Sequence, residues 1–360
     1  MENSIVRFGL QYDPFEFLDA GSDPHLKNYF VVPTAASVVW EKDAPALVFA
    51  LPGGGKSALR VYTEGVYRDS RGTKFPVRYI PENYDTSPDF HLNGLRGAFA
   101  RAILVYLLSY PDIFNALPAP TRQQLVKTLR YLPFQIEFIL SLLKSGETIS
   151  DVEDILGVDA LSGLSEFGEA HQVMANLIQE NIPINQGEAA LSIEQISSLI
   201  KDSLGAKTIH VLIDGLDGFS ETIASAALLA WIQPLLECIH TWQQEDIYLK
   251  FFLPMDISDT SPVKTGALLE RVRLAWDNER LAELIRRRVK AASNESYDSL
   301  DAVSVPELRD VEMQIARQLP VDKKLPRQMV IRARQVLFSA AKNLDHLIHS
   351  EDIFQAEGAS

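Results

Sequence analysis

Apolar residues run without interruption through Ala46-Leu47-Val48-Phe49-Ala50-Leu51 and stop at Pro52-Gly53-Gly54-Gly55. A short continuous apolar run bounded by turn residues predicts a strand buried on both faces. From Lys56 the spacing becomes helical, through Leu59, Val61 and Tyr62. The local order is therefore strand, glycine loop, helix. Further strands are predicted at 75–80, at 209–213 just before Asp214, at 247–253, and within 268–276. Pro76 fits best in the first positions of its strand, because proline donates no ladder hydrogen bond.

Between the second and third strands, helical periodicity dominates from 90 to 205. Helices are expected at 97–110 and across 123–143, the latter broken or kinked by Pro133. Two more are expected at 171–179 and 192–204, with Ser192 and Gln195 forming a capped start. A long helix follows at 224–242. Asp277 or Asn278 is expected to cap another that runs to about 291. Beyond 295 the pattern is helical again, punctuated by Pro306, Pro320 and Pro326. Alternating strands and helices predict an α/β fold with a parallel sheet covered on both faces. The expected segments are 1–90 (a lead-in and the first part of the core), 91–205 (a helical insertion), 206–276 (the second part of the core) and 277–360 (a helical subdomain).

Composition narrows the class. Of 360 residues 46% are hydrophobic and 23% charged, which suits a folded chain rather than a disordered one. A single cysteine, Cys238, excludes an intramolecular disulfide framework and a Cys-cluster zinc site. It reads as a buried structural thiol. No run of about 18 apolar residues exists, so no transmembrane helix is expected. Met1-Glu2-Asn3-Ser4 lacks the basic start of a secretion signal, so the expected location is cytoplasmic, with no membrane partner. A net charge of −14 disfavours nonspecific binding of nucleic acid by the whole surface. Residues 280–345 run against that balance, with 13 Lys/Arg to 9 Asp/Glu.

The stretch from Ala50 to Ser57 nearly fits G-x-x-x-x-G-K-[ST], with Ala50 in place of the first glycine. Consecutive glycines let backbone N–H groups bend around phosphate oxygens, and the helix behind them presents its N-terminus to the same anion. The candidate nucleotide contacts are Pro52, Gly53, Gly54, Gly55, Lys56, Ser57 and Ala58. Lys56 would reach the β- and γ-phosphates, and Ser57 would ligate Mg²⁺. Asp214, at the end of the third strand, is the second candidate for Mg²⁺. Asp217 could orient or deprotonate the attacking water; the alternative is a turn or helix-cap aspartate.

A phosphate loop, a long gap, then apolar residues followed by Asp214-Gly215-Leu216-Asp217 resembles the P-loop NTPases of the additional-strand group. Within that group the chain is similar to STAND and AAA+-like bacterial ATPases. The resemblance covers about 30–60 and 205–345. It implies a parallel-sheet P-loop core with a helical insertion and a C-terminal helical lid, and ATP with Mg²⁺ as cofactors. It also implies that the strand after the acidic one lies between the two motifs and ends in a polar residue facing the γ-phosphate. Asp256 is the nearest candidate for that residue, against the alternative of a surface aspartate. Gly218 stands where the family often has an acid.

The segment from Trp276 to Val289 resembles the strand-to-lid-helix segment of these ATPases, with Arg288 at the family's arginine position. Arg286 and Arg287 point elsewhere on the helix, and a solvated basic helix end is the alternative for all three. Arg327, beside Pro326 at a helix start, resembles the lid arginine that touches the γ-phosphate. Aromatic residues in 12–32 could stack on the base or pack in the core. The implied activity is ATP hydrolysis that drives a conformational switch, in a homo-oligomer or with a separate effector protein. A nucleotide switch without turnover, a small-molecule kinase and an interaction protein working through the insertion remain open. The basic 280–345 region suits a surface closing on a triphosphate, or a modest nucleic-acid patch.

Overall fold

Ala46–Ala50 (β1), Lys74–Tyr79 (β2), Thr208–Ile213 (β3), Ile247–Pro254 (β4) and Glu270–Arg273 (β5) form one parallel sheet in the order β2-β3-β4-β1-β5. The computed structural model describes residues 6–145, 149–157, 167–179, 190–257 and 269–355. Leu268, where the fifth-strand expectation begins, lies outside the described residues, as do Met1–Ser4 and parts of 91–205. Strands β2, β3 and β4 pair in register, Val77 opposite Val211 and Val211 opposite Leu249. All residues of β1 and β4 are buried, as the apolar run of β1 and the largely apolar run of β4, broken only by Lys250, lead one to expect. In β2, buried and half-buried positions alternate, because it is an edge strand. That edge explains Pro76. It sits at the third position of β2 rather than at the very start.

The longer helices are Lys56–Asp69 (α1), Phe90–Ser109 (α2), Ala119–Thr128 (α3), Ile136–Ser145 (α4), Ile149–Leu156 (α5), Phe167–Gln179 (α6), Ile193–Leu204 (α7), Ser225–Gln244 (α8), Asn278–Ala292 (α9), Val311–Gln318 (α10) and Pro326–Ala340 (α11). Between β2 and β3 every described element is helical. The predicted break at Pro133 falls in the gap between a short 3-10 turn and α4. Helix α2 starts seven residues before the expected 97. Its first turn is recruited by tertiary bonds, with His91 Nδ1 3.0 Å from Tyr79 Oη and Nε2 2.9 Å from Trp231 O. Ser192 accepts from the Gln195 amide while the Gln195 side chain accepts from Ser192, so α7 opens with a full capping box. Asp277 caps α9 by accepting from Arg280 N.

The chain divides into two compact units. One comprises Met1–Ser37, Ala50–Tyr62 and Arg273–Ser360; the other comprises Val38–Phe49 and Thr63–Val272. The first has its own core, in which Leu281, Leu284, Ile285 and Val289 of α9 meet Ile315, Met329 and Val336. Phe8, Leu10 and Phe15 of the lead-in join it. The second is built around the sheet, with Phe99, Ile103 and Leu107 of α2 and Leu228, Ile232 and Leu235 of α8. Cys238 is half-buried against this core, and burial raises its thiol pKa.

Two polar side chains are buried within these strands. His210 stacks on Tyr67 with ring centroids 4.2 Å apart, and its Nε2 lies 3.3 Å from Asp43. Lys250 donates to Ala44 O at 3.0 Å and to Lys42 O at 3.2 Å. No described helix is long and apolar enough to cross a membrane.

Candidate functional site

The glycine loop leaves β1 at Ala50 and enters α1 at Lys56. Its conformation is one that side chains would block. Gly53 and Gly55 have φ of 75° and 92°, in the left-handed region that favours glycine. Gly54 is excluded from substitution by space instead. A Cβ there would lie 2.8 Å from Leu51 O and 2.9 Å from the Ala50 methyl. The Gly54 N–H closes the turn onto Leu51 O at 2.9 Å.

The C-terminal part of the same unit holds this loop in place. Trp276 Nε1–H donates to Gly54 O at 2.9 Å, and the Arg327 backbone N–H donates to Gly53 O at 3.4 Å. A Cβ on Gly55 would touch the Trp276 ring at 3.4 Å, and one on Gly53 would touch Arg327 Cβ at 3.1 Å. A trans peptide sets each N–H antiparallel to the preceding carbonyl. The bond from Trp276 to Gly54 O therefore turns the Gly55 N–H to the opposite side. Behind it, the first amides of α1 lack intrahelical acceptors by geometry.

Lys56 is buried, and its ammonium donates to Ala50 O at 2.7 Å and Leu51 O at 3.3 Å. Ser57 and Ala58 are half-buried in the first turn of α1, and Pro52 is exposed. Arg327 opens α11 with Pro326 at the first helical position, and its side chain is exposed. The structure thus brings Gly53, Gly54, Gly55, Lys56 and Arg327 together. Trp276 was legible only as part of a segment pattern; nothing in its spacing announced the bond to Gly54.

Arg288 is placed differently. It is buried, its Nη1 donates to Pro14 O at 2.8 Å, and its Nη2 meets Asp23 at 3.4 Å. Its guanidinium lies over the Tyr29 ring, 4.4 Å from the centroid, and the Tyr29 hydroxyl donates to Asp23. Burial raises the Tyr29 hydroxyl pKa, against the lowering effect of Arg288. Arg288 therefore ties α9 to the lead-in. Arg287 bonds Glu283 at 2.7 Å and Phe30 O at 2.9 Å, and Arg286 lies 3.8 Å from Glu312. Of the lead-in aromatics, Tyr12 stacks on His25 and Phe30 on Tyr62.

In the sheet unit, Asp214 directly follows β3 and is 4% exposed, with its backbone N–H donating to Tyr79 O at 3.2 Å. Gly215 has φ of 85°, and a Cβ there would strike Ile80 at 2.6 Å. The chain thus turns sharply straight after the acid. Asp217 begins a four-residue helix, Asp217–Ser220, and is half-buried. Asp256 lies in the 3-10 turn after β4, is exposed, and accepts from Ser225 Oγ. Strand β4 lies between β3 and β1. Among the described residues no group of three or more His, Cys, Asp or Glu could hold a metal ion. Magnesium held together with a nucleotide needs only one or two protein carboxylates or hydroxyls.

No protein-family model matches the chain, and no curated protein matches it significantly.

Proposed function

We propose that the chain is an ATP-binding P-loop NTPase that hydrolyses ATP with Mg²⁺ to drive a conformational switch, as an oligomer or with a partner protein. One observation carries this reading. Between a fully buried strand and a helix start stands a triglycine loop whose first and third residues hold left-handed φ and whose second leaves no room for a Cβ, followed at once by Lys56 and Ser57. The strand order adds support, since β4 intervenes between the strand that leads into the loop and the strand that ends at Asp214.

In this reading the Gly55 N–H and the first amides of α1 hold phosphate oxygens. Lys56 exchanges its bonds to Ala50 O and Leu51 O for the β- and γ-phosphates. Ser57 and Asp214 are the residues that would hold Mg²⁺, which when bound neutralises charge on the phosphate oxygens. Asp217 orients the attacking water or takes its proton. Arg327 stabilises charge on the transferred group. Its backbone N–H bonds the loop at Gly53 O, so α11 is a sensor of the loop's state. Arg288, already bound to Asp23 and Pro14, serves the architecture of its unit.

The test is binding of ATP, GTP and ADP with Mg²⁺, together with phosphate release, for wild type and Lys56→Ala. Binding with turnover that is lost in Lys56→Ala is expected. An ATP affinity unchanged by that substitution would overturn the reading. A second reading, a nucleotide switch without turnover, is favoured by Gly218 beside Asp217. Its signature would be ATP affinity without phosphate release.

A further inference from the structure

Edge strand β2 is flanked by the second half of α1 and by α2, and a cavity of about 200 Å³ opens between them. Tyr67, Arg68, Lys74, Phe75, Tyr106 and Tyr110 line it. A smaller pocket follows the same strand, lined by Arg68, Arg78 and Arg101. Arg68, Pro76, Ala102 and Val105 line both, so the two adjoin along one groove. Four cations on one groove run against a chain whose net charge is −14.

Two polar atoms here have no hydrogen-bond partner in the protein. Tyr106 is 8% exposed, and its buried hydroxyl is unbonded. That oxygen lies 2.6 Å from where a Cβ on Gly72 would stand, and Gly72 is itself a wall of the cavity. Arg101 Nε is likewise buried and unbonded. Buried groups without partners are costly and rare, and one place they persist is where a ligand completes them. Two of the other three cations are partly neutralised, Arg68 by Glu64 at 2.7 Å and Lys74 by Asp43 at 2.8 Å. Burial, together with the nearby charge of Arg78, lowers the Arg101 pKa against the opposing effect of Glu82, so an added anion at Arg101 would favour its charged form.

We propose that this groove is a second ligand site, taking a compact metabolite that joins a planar ring to an oxyanion, phosphate or carboxylate. The ring lies among Phe75, Tyr106 and Tyr110, with an acceptor on the Tyr106 hydroxyl, and the oxyanion faces Arg68 and Arg101. The volume is below the ~300–1,000 Å³ typical of drug-sized sites, so the ligand is smaller than a nucleotide. The site does not depend on the nucleotide reading, because every residue named belongs to the sheet unit.

The test is calorimetric titration of the full chain with phenyl phosphate, benzoate and phenol at low ionic strength. Phenyl phosphate or benzoate is expected to bind at one site, with phenol at least ~10-fold weaker, the scale of a lost charge-assisted contact. Arg101→Gln should weaken the better probe by about 10-fold. Tyr106→Phe, which removes only an unbonded oxygen, should weaken it several-fold without lowering the melting temperature. Lys56→Ala should leave it unchanged. The proposal is overturned if neither anion binds, if Arg101→Gln and Tyr106→Phe both bind like wild type, or if Lys56→Ala abolishes binding, which would place the probe in the glycine loop.

Discussion

Trp276 donates its indole N–H to the carbonyl of Gly54, 2.9 Å away and 222 positions earlier in the chain. A residue at the entry to α9 thereby sets which way a peptide plane faces in the loop after β1. Trp276→Phe keeps the ring against Gly55 and removes only the donor. A neutral hydrogen bond of this kind is worth about 1 kcal/mol. ATP affinity is therefore expected to fall roughly 3- to 10-fold, with a small loss of stability. Titration of both proteins with ATP and Mg²⁺ checks this; equal affinities would mean that the loop holds its shape unaided.

Ala50 departs from the glycine that usually opens such a loop, yet it is the last residue of a buried strand. Ala50→Gly is expected to leave ATP affinity within about 3-fold and to cost roughly 0.5–1 kcal/mol in urea unfolding. Gly54→Ala should instead abolish binding, because the new methyl meets the Leu51 carbonyl at 2.8 Å. A Gly54→Ala protein that binds ATP normally would show that the loop can open without penalty.

The two candidate arginines should separate cleanly. Arg327→Ala is expected to lower turnover about 100-fold or more, with stability changed by no more than ~0.5 kcal/mol. Arg288→Ala leaves Asp23 buried without its cation and is expected to cost about 3 kcal/mol of stability. Urea midpoints and phosphate release measured on both variants distinguish the roles. A reversed pattern would exchange them.

Stability should rise with pH because of two residues in the sheet. Burial lowers the His210 pKa from 6.5 to about 4, outweighing the opposing effect of Asp43. Burial, with the charge of Lys74, lowers the Lys250 pKa from 10.5 to about 7, against the opposing effects of Asp43 and Glu270. The bond to His210 is the largest influence holding the Asp43 carboxyl below its ordinary range. Thr208 Oγ1 lies 3.0 Å from His210 Nε2, the rings of Tyr67 and Tyr248 stack on the imidazole, and the charges of Lys250 and Lys74 also act on it. For both bases the unfolded chain binds more protons between the two values, so stability increases with pH there. The His210 contribution is full above pH 6.5 and is lost as pH falls towards 4. The Lys250 contribution is full above pH 10.5 and is lost as pH falls towards 7. Lys250→Met should flatten the alkaline rise in urea midpoint, and His210→Phe the acid one. Unchanged slopes in both would show that these groups titrate normally.

Much of the local order was readable from residue pattern alone. Strongly apolar runs, interrupted only by His210 and Lys250, marked β1, β3 and β4 because strands covered on both faces need no polar alternation. The glycines at 53–55 marked a turn, and Ser192 and Asp277 marked helix starts through the hydrogen bonds their side chains could make. Helix α2 was placed too short at its N-terminus because His91 is recruited by Tyr79 and Trp231, residues far from it in sequence. The resemblance assigned Arg288 and Arg327 each to an arginine position of the lid, with a solvated basic helix end as the alternative for Arg288. Only the packing buried one on Asp23 and set the other over Gly53.

By itself the amino-acid sequence determined the elements, the glycine loop and the acid after β3, because these depend on periodicity, backbone freedom and short-range capping. The tertiary structure alone decided that Trp276 pins Gly54 and that Tyr106 and Arg101 line a groove beside β2. Those relationships join residues tens to hundreds of positions apart, and no local preference encodes which distant partner will satisfy a given polar group.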